Sequence, residues 1–152
     1  MIPPFGDDGL LPPGVHWATW EELRARFGTT PHRRRLLAGL RAALESLASV
    51  GCKSAYIDGS FVTAKNIPGD FDACWDIDGV DFALLETRDR VLLTFENRRA
   101  AQKAKYRGEL FPAQVRAETS PPYRIFLEFF QIDKDTGNPK GIVAIDLQGW
   151  QP

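Results

Sequence analysis

Cysteine is scarce in this sequence: only Cys52 and Cys74 occur in 152 residues. Two thiols build neither a zinc quartet nor a disulfide framework, so a reducing cytoplasm is the expected setting. The two histidines, His16 and His32, have no spacing that suggests a metal site or a triad. Long apolar runs are missing, because no window approaches the ~18 apolar residues of a membrane span. The start, Met1-Ile2-Pro3-Pro4-Phe5, lacks the basic and apolar regions of a signal peptide. An excess of either charge is also missing. Nineteen Lys and Arg face twenty Asp and Glu, so the total says nothing about polyanionic partners, and only the placement of charge can. Ordinary composition excludes collagen, coiled coil and wholesale disorder, and no internal repeat is visible.

What is present suggests a single α/β domain over residues 1–152. Residues 1–16 carry four prolines and three glycines, which predicts an extended arm rather than a helix or central strand. Thr19 and Glu22 form a capping box for a first helix, and Gly28 stands where a left-handed C-cap is expected. Thr30 as N-cap, Pro31 at the first position and Gly51 as terminator bound a second helix. Its apolar stripe runs through Leu36, Leu37, Leu40, Leu44, Leu47 and Ala48 at the 3.6-residue period. Residues 54–58 predict a buried strand, and a short segment follows from Phe61 to Asn66. The run 87–107 has helical propensity and is rich in Arg and Lys. Runs 123–133 and 140–147 predict two strands of a hairpin around Gly137.

The chemistry concentrates in Asp58-Gly59-Ser60, then residues 61–69, then Asp70-Phe71-Asp72. Alternation from Asp70 to Ile77 places Asp70, Asp72, Cys74 and Asp76 on one face, and Phe71, Ala73, Trp75 and Ile77 on the other. Two carboxylates on one strand face lie about 6.5–7 Å apart. Each raises the other's pKa unless a cation intervenes, and a divalent metal resolves the repulsion. The Gly59-Ser60 turn offers close backbone approach, N–H groups and a hydroxyl for phosphate oxygens. Together these are working parts of metal-assisted phosphoryl or nucleotidyl transfer. Taken singly, a Gly-Ser turn is commonplace and alternating Asp is often a solvated sheet face.

This order resembles the signature of the nucleotidyltransferase-fold (polymerase-beta-like) superfamily: a strand, Gly-Ser, a short helical segment, then a strand with Asp-hydrophobic-Asp. From Leu10-Leu11-Pro12-Pro13-Gly14 to Gly141-Ile142-Val143-Ala144-Ile145-Asp146-Leu147, the chain is similar to an uncharacterised group of short bacterial and phage proteins of minimal nucleotidyltransferase type. The resemblance implies a mixed β-sheet flanked by helices, with Mg²⁺ (or Mn²⁺) on Asp70 and Asp72. It also implies a third acid on a later strand, where Asp146 and Glu128 fit, Asp146 better. If runs 123–133 and 140–147 pair around Gly137 these two acids share a face, and a one-residue shift separates them. Gly59 and Ser60 would grip the phosphates of a nucleoside triphosphate; by position alone, Lys65, between the turn and the aspartates, and Lys103, in a basic run, are either further phosphate contacts or surface lysines. The implied acceptor is a protein or RNA hydroxyl, and the implied settings are toxin–antitoxin pairs, with a cognate antitoxin as partner, or phage defence. Two other outcomes fit the same residues: a catalytically degenerate module that binds nucleotide, RNA or a partner, and a metal-dependent phosphohydrolase.

Two basic clusters belong to no motif. Arg98, Arg99, Lys103, Lys105 and Arg107 fall within ten residues, where Arg99, Lys103 and Arg107 share a helical row. Arg33-Arg34-Arg35 lies in the first turn of the second helix, where positive charge opposes the dipole. Each suits a triphosphate, an RNA backbone or a solvated helix face. Cys74 and the four tryptophans are expected to be packing residues.

Overall fold

The computed structural model describes all 152 residues. Five strands form one mixed sheet in the order β1-β5-β2-β3-β4. These are β1 (Gly14–Ala18), β2 (Ser54–Asp58), β3 (Phe71–Trp75), β4 (Gly108–Pro112) and β5 (Gly141–Asp146). The outer pairs β1–β5 and β3–β4 are parallel, while β2 runs antiparallel to both β5 and β3. Helices α1 (Trp20–Phe27), α2 (Pro31–Ser49), α3 (Phe82–Arg88) and α4 (Glu96–Tyr106) contribute to the main apolar core on one face of this sheet. A single turn of helix, α5 (Phe126–Phe129), lies over the other face. The expected single α/β domain with a mixed sheet and packed helices is therefore present.

Local signals set the first two helices. The Thr19 hydroxyl accepts from Glu22 N–H at 3.1 Å, and the Glu22 carboxylate accepts from Thr19 N–H at 2.9 Å. Thr30 accepts from Arg33 N–H at 3.1 Å, with Pro31 opening α2. Gly51 takes φ +93° after α2, and Cys52 N–H closes back on the Leu47 carbonyl. Gly28 differs from expectation: its φ is −85°, not left-handed. Space explains the residue, since a Cβ there would sit 2.6 Å from the Arg24 carbonyl oxygen and 2.8 Å from Leu37. The leucines of α2 bury against β3 and β4, whose inward residues Phe71, Ala73, Trp75 and Leu110 are fully enclosed.

Three segments depart from the sequence expectations. The arm ends before residue 16, because Gly14 to Ala18 pair with β5 as an edge strand. Pro12 and Pro13 have no N–H to donate, so pairing begins at Gly14. Run 87–107 is helical but broken. It comprises the end of α3, a 3-10 turn at Arg90–Leu93 and α4, with Asn97, Arg98 and Arg99 in left-handed backbone. Run 123–133 is not a strand. Glu128 accepts from Ile125 N–H at 3.1 Å and starts α5, and Phe126 and Phe130, four residues apart, pack together on the sheet. Of the expected hairpin only one bridge remains, Ile132 opposite Pro139, closing a loop that returns the chain to β5.

Candidate active site

The face of the sheet away from the main core changes character along its strands. Cys74, Ile142, Ala113 and Phe130 form a small second core, with Phe111 stacked on Phe126 at 4.3 Å. Beyond them, at the end where β2 finishes and β3 and β4 begin, the same face carries acids. Asp58 pairs in register with Asp72, and Asp72 with Glu109. Directly opposed side chains on neighbouring strands start about 4.5–5.5 Å apart, so the register makes a row of three carboxylates, with Asp70 just before β3.

The outer members of the row have cations. Lys103 Nζ is 2.9 Å and Arg99 3.4 Å from Glu109. Lys140 Nζ stands 3.2 Å from Asp58 Oδ1, although this buried oxygen receives no well-directed hydrogen bond. Burial pushes the Asp58 carboxyl up, and Lys140 opposes the shift. Asp70 and Asp72 form no ion pair and accept no hydrogen bond from the chain. Burial, then the charge of Glu109, raises Asp70. Burial, then Asp70, Glu109 and Asp58, pushes Asp72 up to about 7.

Gly59 makes the turn against this row. Its φ of +80° and ψ of −173° lie where only glycine is comfortable. A Cβ there would come within 2.5 Å of Asp72 Oδ2. Ser60 then opens a 3-10 turn, Ser60–Val62, which is all that forms in the segment expected over 61–66. Gly59, Ser60, Lys65, Asp70 and Asp72 line one cleft of about 430 Å³ with Asp58. Its remaining wall brings Lys134 and Lys140 from the 132–140 loop and Phe129 from α5.

Other sequence candidates fall elsewhere. Lys103 pairs with Glu109 and lines a second cleft, which meets the first at Asp70. Asp146 is exposed at the opposite end of the sheet. It pairs in register with Ser54, four residues along β2 from Asp58, which is about 13 Å at ~3.3 Å per residue. Glu128 is exposed on α5 and spends its carboxylate on the Ile125 N–H. Neither acid joins the row, because β5 enters antiparallel to β2 and run 123–133 is not its partner strand. The residues missed were Glu109, Lys134, Lys140 and Asp58 as an acid. Glu109 had as its only signal the short strand-like run Gly108-Glu109-Leu110-Phe111 after a helical stretch, with no alternation to place it on a face. Cys74 and Cys52 are buried, and burial pushes the Cys52 thiol up to about 12 and Cys74 in the same direction. His32 Nε2 is bonded to the Pro68 carbonyl, and His16 to that of Pro12.

No group of three acid, histidine or cysteine side chains is arranged to enclose a metal ion. The unpaired Asp70 and Asp72 could supply two carboxylates to a hard cation, whose other ligands must then come from water or a bound phosphate. No helix is long and apolar enough to cross a membrane. Comparison with curated proteins and with solved structures finds no match. Over residues 3–146, nearly its whole length, the chain matches DUF6932, a family of unknown function, and belongs to that family.

Proposed function

We propose that the protein is a Mg²⁺-dependent nucleotidyltransferase, moving a nucleoside monophosphate from a nucleoside triphosphate to a hydroxyl. One observation carries the reading: the Gly59-Ser60 turn closes directly on Asp72, within a cross-strand row of acids whose central members have no cation of their own. Mg²⁺ or Mn²⁺ held by Asp70 and Asp72 would neutralise charge on the transferring phosphate. Asp146 and Glu128 cannot supply a third acid, and Glu109, opposite Asp72 but paired with Lys103 and Arg99, stands beside the metal ligands rather than among them. Ser60 and the turn bind phosphate oxygens, and Lys65, Lys134 and Lys140 balance the triphosphate charge. The acceptor oxygen bonds to the α-phosphorus and the bond from that phosphorus to the β-phosphate oxygen breaks. Diphosphate leaves with the electron pair, and the hydroxyl proton passes to solvent. The acceptor is a protein or RNA. A cognate antitoxin in a toxin–antitoxin pair, or a partner in phage defence, in the cytoplasm, is the biological setting this activity fits.

A second reading has its own support. Lys140 on Asp58, and Lys103 with Arg99 on Glu109, neutralise the ends of the row without a metal, as a catalytically degenerate nucleotide- or partner-binding module would need. The readings separate on incubation with each α-³²P-labelled triphosphate, Mg²⁺ and a cell extract. Transfer of label to protein or RNA, lost in Asp70→Ala/Asp72→Ala, is the expected result. Triphosphate binding without transfer favours the degenerate module, and released phosphate or diphosphate without a labelled acceptor favours a phosphohydrolase. Activity and binding unchanged in the double variant overturn the proposal.

A further inference from the structure

Asp70 borders two clefts, and the second, also about 430 Å³, lies between α2 and α4. His32 and Leu36 of α2 face Lys103 and Ala104 of α4, with Arg107 just beyond α4. The walls are held at a fixed separation, because Gly39 of α2 abuts the Tyr106 carbonyl so closely that any Cβ would overlap it. Helical spacing puts Arg35 on the same side of α2 as His32 and Gly39. Arg35 and Arg107 are exposed, and neither forms an ion pair or a side-chain hydrogen bond. Lys103 has only Glu109. Asp70 is the single acid in the lining, at the end shared with the first cleft.

Arg107 and Lys103 in the groove, with the free Arg35 guanidinium on the adjoining face of α2 outside the lining, match the spaced anions of a phosphodiester chain, which each planar guanidinium fork can grip through two oxygens. The exposed Ala104, backed by the buried Leu36, offers a small apolar surface for a sugar or base edge. We infer that this cleft binds the phosphate backbone of a single nucleic-acid strand and leads its terminal hydroxyl to Asp70. Resting on the nucleotidyl-transfer reading, this makes the acceptor a polynucleotide rather than a protein.

The test is fluorescence anisotropy of the full chain with a short labelled single-stranded RNA and the DNA of the same sequence. Mg²⁺-dependent triphosphate binding is measured in parallel. Arg35→Glu/Arg107→Glu should weaken strand binding at least ~10-fold near 50 mM salt, flatten its salt dependence, and leave triphosphate binding unchanged. The same charge change placed away from the cleft, Arg24→Glu/Arg41→Glu, should alter strand binding less than about 2-fold, where salt-screened nonspecific attraction is all it removes. A preference for RNA or for DNA identifies which polynucleotide is accepted. No strand binding by the unmodified chain, or equal loss in both variants, overturns the inference, as does label transferred to protein with undiminished yield in Arg35→Glu/Arg107→Glu. Strand binding lost only in the cleft variant, with no triphosphate bound by any form, upholds the cleft and sinks the nucleotidyl-transfer reading instead.

Discussion

Asp72 is a desolvated carboxyl with other carboxyls beside it, and burial first, then their charge, favours its protonated form. In the folded chain it is pushed up to about 7, against 3.8 for a free side chain. Between those values the folded state binds more protons than the unfolded one, so stability is greatest below the lower value and is lost as pH rises through the upper. A shift of this size corresponds to about 4 kcal/mol, and to on the order of 3 once solvent reaching the half-buried side chain screens it. Asparagine imitates the protonated acid, so Asp72→Asn should raise Tm at pH 8 without Mg²⁺ by roughly 6–12 °C, and the gain should vanish near pH 4. A lower Tm at pH 8 in thermal scans would show that Asp72 is not held against its charge. Gly59 is coupled to it. Gly59→Ala meets both a forbidden backbone region and the Asp72 carboxylate at 2.5 Å. It should cost about 2–4 kcal/mol by urea titration, beyond the ~1–3 of the backbone alone. In the Gly59→Ala/Asp72→Ala pair the excess should disappear, and full additivity would place the strain elsewhere.

At the scale of elements, short-range signals were legible and long-range packing was not. Thr19 with Glu22, and Thr30 with Pro31, act over three or four residues, so the starts of α1 and α2 could be read directly. The run Ile125-Phe126-Leu127-Glu128-Phe129-Phe130 is apolar enough to suit either period, and the Glu128 bond to Ile125 N–H decides for a helix. Gly39 sits inside α2 where the pattern gives it no purpose. Helix propensity alone says Gly39→Ala should gain about 1 kcal/mol. The structure reverses that sign, because an added Cβ would lie within the radius of the Tyr106 carbonyl oxygen, a backbone atom of α4 that cannot yield. A net loss of about 2–3 kcal/mol with unchanged urea m value is expected. A stabilised variant would mean that α2 and α4 do not approach as described.

Over the whole molecule, the membership of the acid site depends on strand order, which sequence spacing does not encode. Asp70 and Asp72 were legible because one strand's alternation places them. Glu109 reaches Asp72 only through the parallel β3–β4 crossover, which spans α3 and α4, and no local pattern reports that register. Asp146 looked suitable because Ile145-Asp146-Leu147 frames an acid between apolar residues. Yet β5 runs antiparallel to β2, so the start of β5 lies beside Asp58 and its last residue, Asp146, lies beside Ser54 at the opposite end of the strands. These two acids therefore make opposite forecasts. Glu109→Ala should weaken Mg²⁺-dependent triphosphate binding about 10-fold or more, as loss of a group beside metal ligands commonly does. Asp146→Ala should leave it within about 2-fold, because an exposed acid ~13 Å away acts only through screened charge. Isothermal titration of both variants and the unmodified chain decides the matter. If Asp146→Ala abolishes binding while Glu109→Ala spares it, the site lies at the other end of the sheet and the cross-strand row is only a structural cluster.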